Sequence, residues 1–206
     1  NAYFLQRIND IRRAPKNHLL GQLVAVETED GQLDDEELLS FCSLLLIAGN
    51  ETTTGLITAS ARVFHEQPEI LAQLKQQPEL SVPFVEETLR YYSPFSATVR
   101  RTTKEVELAG QTIGAGELVL PLIASANRDE RVFDAPDRFQ IDRTPNPHLG
   151  MGFGIHFCLG AHLARLEGRV VVEQMAERYA SVALAKPEAA TVGNLGGPKE
   201  LAIKVG

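Results

Sequence analysis

The chain has 206 residues, 44% hydrophobic and 23% charged, with a formal net charge of −7. These are the proportions of a globular protein, and the negative balance argues against a nucleic-acid partner. No apolar run approaches the ~20 residues that span a bilayer, and Asn1-Ala2-Tyr3-Phe4 lacks the basic region and apolar core of a signal peptide.

In chain order, the pattern up to about Arg13 suggests the end of a helix, closed by Arg12-Arg13-Ala14-Pro15. A short helix is expected over residues 18–27, then a turn at Glu29-Asp30-Gly31. Leu33-Asp34-Asp35-Glu36-Glu37 opens a long helix, with Asp34 as N-cap and acidic residues suited to the positive end of the helix dipole. Its apolar pattern runs to about Phe64, roughly 30 residues or ~45 Å at 1.5 Å per residue. Shorter helices are expected over 68–76 and 82–92, the second with Pro83 in its first turn and Ser93-Pro94 as its stop. Strand-like segments follow at 106–108, 111–113 and 118–121, broken by Gly110, Gly114 and Gly116. A small helix is expected over 123–127, then an irregular stretch containing Pro136, Pro145 and Pro147. The last helix covers 161–178, and strands are expected at 181–184 and 201–205. The fold class is mainly α with small β-sheets.

The most informative stretch is Gly152-Phe153-Gly154-Ile155-His156-Phe157-Cys158-Leu159-Gly160. It places a cysteine in a glycine-rich loop immediately before a helix, with a basic-capable side chain two residues upstream. A thiolate is stabilised at a helix N-terminus, where unpaired N–H groups and the macrodipole favour negative charge. Gly152, Gly154 and Gly160 permit positive φ and let the backbone pass close to a flat ligand. Cys42, in Ser40-Phe41-Cys42-Ser43-Leu44, reads instead as a buried core residue. A disulfide between the two is not expected, and a reducing cytoplasm fits.

With its preceding residues, His148-Leu149-Gly150-Met151, this stretch resembles the haem-binding loop of a bacterial cytochrome P450. The resemblance implies that Cys158 is the proximal ligand to the metal, the iron of haem b (iron protoporphyrin IX), and that His156 pairs with a haem propionate. Gly152, Phe153 and Gly160 fall among the cofactor contacts. This chain departs from the usual pattern in carrying Met151 where an aromatic is common and Phe153 where a polar residue or histidine is common. Met151 can still fill an irregular apolar gap beside the sulfur.

Three further constellations agree with the resemblance. Ala48-Gly49-Asn50-Glu51-Thr52-Thr53-Thr54 places a glycine and three β-branched residues inside the long helix, where each lowers helix propensity, so a local opening is expected there. The segment resembles the family's oxygen-activation motif. That likeness makes Glu51 and Thr52 the catalytic acid–alcohol pair that delivers protons to dioxygen, with Ala48 and Gly49 against the cofactor. Glu87-Thr88-Leu89-Arg90 matches the family's Glu-x-x-Arg signature, a buried structural pair normally joined by a later arginine; Arg138 and Arg143 both qualify. Arg100, aligned through Val106-Glu107-Leu108-Ala109-Gly110, falls at the haem-propionate arginine.

Arg165, Arg169 and Arg178 form either a solvated helix face or a basic patch where an acidic ferredoxin could dock. The resemblance covers residues 1–206 as a single incomplete domain, the C-terminal haem-binding half of the P450 fold. The expected function is a haem-thiolate monooxygenase that inserts one oxygen atom of O2 into a small organic substrate. Electrons would come from NAD(P)H through ferredoxin reductase and ferredoxin, and a missing N-terminal half would complete the active site. The alternative is a truncated, non-catalytic haem-binding or interaction module. The substrate pocket would be lined by Ile47, Ala48, residues 94–99 and Asn194-Leu195.

Overall fold

The first helices are short in this computed structural model, which describes residues 2–28, 31–187 and 201–206. Helix α1, Ala2–Arg13, ends on Arg12 and Arg13, cations suited to its negative end. Helix α2, Leu19–Val24, is capped by His18, whose Nδ1 accepts the Gly21 N–H at 3.1 Å. It stops earlier than expected because Glu27–Thr28 (β1) pairs antiparallel with Gly31–Gln32 (β2). Gly31 opens β2 at φ +112°, a conformation that favours glycine.

Helix α3 runs over Asp35–Glu66, 32 residues. Asp34 Oδ1 accepts the Glu37 N–H at 2.8 Å and Glu37 Oε2 accepts the Asp34 N–H at 3.0 Å. This reciprocal cap satisfies donors that a helix start leaves open. The chain forms two compact units, residues 1–50 and 51–206, whose boundary falls within α3. In the first, Ile8, Ile11, Leu38 and Cys42 are buried, Arg12 pairs with Asp35, and Leu44, Leu46 and Ile47 are exposed. Burial pushes the Cys42 thiol up, as suits an inert core cysteine.

The second unit packs helices around one aromatic and aliphatic core. Helix α4 is Pro68–Gln76 and α5 is Ser81–Tyr92, joined by a 3-10 turn at Pro78–Leu80. Phe84, Val85, Thr88 and Leu89 place one face of α5 inward. Phe84 stacks on Phe64 at 5.3 Å and meets Phe139 at 5.6 Å. Small antiparallel pairs follow: Arg100–Arg101 (β3) with Leu118–Val119 (β6), and Val106–Leu108 (β4) with Gln111–Ile113 (β5). Then come α6, Ile123–Ala126, and α7, Ala161–Arg178. Val182–Leu184 (β7) pairs with Ile203–Val205 (β8).

Gly168 sets how closely α7 approaches the core. A Cβ there would meet Leu56 Cδ2 at 2.8 Å and both Val85 Cγ atoms at 3.4 Å. That close fit against α3 and α5 fixes the helix that follows Cys158. Among the described residues no helix is long and apolar enough to cross a membrane.

Candidate haem-thiolate site

The cysteine loop is shaped by its backbone. Gly152 has φ +77° and Gly154 φ +63°. A side chain at Gly152 would also drive its Cβ to 2.8 Å from the His156 carbonyl, so two independent constraints require glycine there. A 3-10 turn, Gly154–His156, follows. The Cys158 N–H then donates to the Met151 carbonyl at 2.8 Å, and the Cys158 carbonyl accepts the Ala161 N–H at 3.2 Å. Cys158 therefore sits immediately before α7, where Gly160, the N-cap, supplies no side-chain hydrogen bond. Gly160 does not use the positive φ expected of it. Its φ is −85° and space over it is open.

The surface around the sulfur is apolar. Cys158 is exposed, and Phe153, Ile155, Leu159 and Leu163 are 83%, 97%, 77% and 59% exposed. Covering a set of this size is worth on the order of 5–10 kcal/mol, and such concentrations of exposed apolar side chains mark binding surfaces. Met151 does not join them. Its side chain is buried in the core with Leu56, Val85 and Ala161. His156 and Arg100 are exposed cations or potential cations. The Arg100 guanidinium donates to Thr98 Oγ1 at 3.0 Å and the Val99 carbonyl at 2.8 Å, which steers it while leaving donors for an anion.

This donor set fits a haem. Among the described residues no three His, Cys, Asp or Glu side chains converge on a metal position. A haem brings its own nitrogen ligands to the iron, so a single cysteine is enough of the chain to hold it. An apolar macrocycle with anionic edges matches the exposed apolar side chains of the loop and the exposed His156 among them.

The oxygen-activation segment differs from expectation in one respect. No helix break opens at 48–54, and α3 is α-helical throughout. One glycine costs about 1 kcal/mol and each threonine about half that. That penalty is too small to interrupt a helix whose C-terminal half buries Leu56, Ala59, Val63 and Phe64. Ala48, Gly49 and Glu51 are exposed, Thr52 is half-buried, and a Cβ on Gly49 would meet nothing within 4 Å. Thr53 Oγ1 donates to Glu167 Oε2 at 3.1 Å, tying the segment to α7. Ile47 is exposed, as is Val99, while Pro94 is buried against Gly55. Asn194-Leu195 lies outside the described residues.

Behind the cysteine loop, Glu87 and Arg90 are fully buried and joined by two hydrogen bonds, at 2.7 and 2.8 Å. The third arginine is Arg143, whose Nε lies 3.1 Å from both Glu87 oxygens. Arg138 contributes only its carbonyl, which accepts from Arg90 and Arg143, and its side chain is exposed. Asn127, fully buried, accepts the Leu149 N–H on Oδ1 at 2.7 Å and the Arg90 guanidinium on its carbonyl at 2.9 Å. It thus fastens the start of the cysteine loop to this network.

A second carboxylate, Glu86, binds His148 at 3.0 Å and the Arg165 fork at 2.6 and 2.9 Å. Burial works against its charge, but the hydrogen bonds from His148 and Arg165 prevail and hold the carboxyl at about 2. Arg169 pairs likewise with Glu173 at 2.7 Å. Two of the three α7 arginines are thus matched by carboxylates, which favours the solvated helix face over the basic patch. The Glu86 cluster was not legible in the sequence.

Together these features define a mainly helical protein that presents one cysteine on an apolar platform, backed by a buried ionic network. The family model for cytochrome P450 matches residues 62–188. Cytochrome P450 109 of Bacillus spizizenii is 45% identical over 180 residues, 87% of this chain and 44% of that protein. The biotin biosynthesis cytochrome P450 of Bacillus subtilis is 42% identical over 184 residues, 89% of this chain and 46% of that protein. Among solved structures, CYP109E1 from Bacillus megaterium in complex with testosterone is similar with a TM-score of 0.88 and 40% identity, covering 98% of this chain and 57% of that one. P450BioI in complex with a hexadec-9Z-enoic acid ligated acyl carrier protein is similar with a TM-score of 0.91 and 38% identity, covering 100% of this chain and 53% of that one. The chain belongs to the cytochrome P450 family, and membership implies a haem cofactor. It spans about half the length of the curated relatives it matches.

Proposed function

We propose that this chain is the haem-ligating, oxygen-activating part of a monooxygenase that inserts one oxygen atom of O2 into a small, apolar organic substrate. The other atom leaves as water with two protons and two electrons, drawn from NAD(P)H through a ferredoxin in the cytoplasm. The observation that carries this reading is Cys158, exposed among apolar side chains in a glycine-shaped loop directly before α7. Bound haem b would supply the redox-active iron, whose O–O cleavage a cysteine thiolate favours.

The remaining roles belong to the chain itself. Cys158 holds the iron, and His156 and Arg100 neutralise the propionates. Phe153 and the glycines Gly152 and Gly160 border the macrocycle. Ala48 and Gly49 are assigned to the cofactor by the family motif. Thr52 holds a proton-donating hydroxyl, and Glu51, exposed to water, recharges it. The solved relatives hold a steroid in one case and a fatty acyl carrier in another, and an apolar substrate class accords with both.

The test is turnover under isotopically labelled dioxygen with NADPH, ferredoxin, its reductase and a panel of steroids and fatty acids. One labelled oxygen per product is expected, and Thr52→Ala should consume NADPH with product formation cut by about tenfold or more. Haem bound through Cys158 without any labelled product would contradict the monooxygenase and leave the non-catalytic haem-binding module.

A further inference from the structure

The cysteine loop is pinned on both sides of its sulfur to a single carboxylate. We propose that His148, Glu86 and Arg165 form a clamp that fixes the depth and orientation of the Cys158 loop against α5 and α7. All three are then positioning residues for the sulfur, and the proposal rests on the haem-thiolate reading.

The geometry on the entry side starts from His148, whose side chain is 3% exposed. A backbone N–H can only donate, so the Gly150 N–H at 3.1 Å makes His148 Nδ1 an acceptor. The ring proton then lies on Nε2 and is donated to Glu86 Oε2 at 3.0 Å. From Gly150 the sulfur is a short path away. Leu149 accepts the Gly152 N–H at 2.9 Å, and Met151 accepts the Cys158 N–H at 2.8 Å. The loop also lies hard against α5, since a Cβ on Gly150 would meet the Leu89 carbonyl at 2.9 Å. A displacement at His148 is therefore transmitted to Cys158 rather than absorbed.

On the exit side, Arg165 grips Glu86 with two parallel bonds, Nε to Oε1 at 2.6 Å and Nη2 to Oε2 at 2.9 Å. Such fork-to-carboxylate pairs fix angle as well as distance. Arg165 belongs to α7, whose first N–H is held by the Cys158 carbonyl. Its cation stands in the second turn of α7, one turn beyond the end of the loop. Glu86 thus balances a positive charge that would otherwise draw electron density from the sulfur, and such neighbours tune a ligand's donor strength.

Hydrogen exchange at the Gly152 and Cys158 amides tests the clamp. His148→Asn keeps an acceptor for the Gly150 N–H but loses the reach to Glu86. Glu86→Gln keeps the shape and loses the charge. Each should speed exchange at both amides about tenfold, the loss of one hydrogen bond's worth of protection. The double variant should add little more, because the two act as one unit. The amides of Phe64 and Val172, in the core, should stay unchanged.

In haem-loaded protein, Glu86→Gln should raise the iron's reduction potential. Arg165→Lys, which keeps the charge and loses the fork, should loosen the loop without that rise. Loop amides that exchange as in the parent protein, or only in step with Phe64 and Val172, would overturn the clamp. If the parent protein instead gives no thiolate-type haem spectrum while its loop amides respond as expected, the clamp stands and the haem-thiolate reading falls.

Discussion

Replacing Glu87 by alanine removes the acceptor on which the proximal network closes. Its two oxygens take six hydrogen bonds: two from Arg90, two from the Arg143 Nε, one from the Gln140 N–H and one from Asn146. Without it two guanidinium groups, fully and nine-tenths buried, lose their counter-charge. Each retains backbone carbonyl acceptors, Asn127, Pro136 and Arg138 for Arg90 and Asp134, Ala135 and Arg138 for Arg143. These soften the loss without neutralising the cations.

Breaking a buried pair in this way costs about 3–5 kcal/mol, a large share of the 5–15 kcal/mol that usually holds a fold together. For a chain of this length that is a fall in Tm of roughly 6–20 °C. Glu87→Gln should cost nearly as much, because its amide would turn a donor toward donors. Arg131→Ala, at an exposed pair with Asp129, is the control and should leave the Tm nearly unchanged. Thermal unfolding of the three variants by circular dichroism decides the matter. A Tm for Glu87→Ala within about 2 °C of the parent, comparable to the Arg131 control, would mean that Glu87 does not hold the two buried cations in place.

Other expectations follow from single features. The Glu86 carboxyl is held at about 2, below the ~4.3 of a free glutamate. Its contribution is therefore fully present above about pH 4.3 and lost as pH falls toward 2. With the side chain 26% exposed, screening reduces that contribution to about 1–2 kcal/mol. Parent and Glu86→Gln stabilities should differ at pH 7 and converge in acid. Gly152→Ala combines a strained φ with a collision at the His156 carbonyl and should cost about 1–3 kcal/mol together with haem retention, measured by denaturation and by haem transfer to apomyoglobin. Asp34→Ala should cost about 1 kcal/mol through loss of the α3 cap, read from the same unfolding curves.

Local chemistry made much of this chain readable. The bounds of α4 and α7 were legible because Pro68 opens one and a glycine loop opens the other, while Asp34 and Glu37 form a cap visible as a pattern of residue types. The β3 strand is not legible because two adjacent arginines carry no alternation. The β1–β2 hairpin was hidden by strands of two residues each. The cysteine loop was readable because a thiolate, positive-φ glycines and a helix start must be contiguous. What binds it was not. Choosing Arg143 over Arg138 depends on how an irregular stretch folds back on α5. His148 and Arg165 lie 62 and 79 positions from Glu86, and no local spacing rule reaches that far. The unbroken α3 shows the opposite error, since propensity argued for an opening that core packing overrides.

The most direct measurement is the absorption spectrum of the haem-loaded, dithionite-reduced protein under carbon monoxide, for the parent and for Cys158→His. A strongly red-shifted Soret band is expected in the parent, marking thiolate ligation, and its replacement by an unshifted band in the variant, with Cys42→Ser leaving the parent band intact. A red-shifted band that survives in Cys158→His, or a parent protein that binds haem with only the unshifted band, would contradict haem ligation by the Cys158 thiolate.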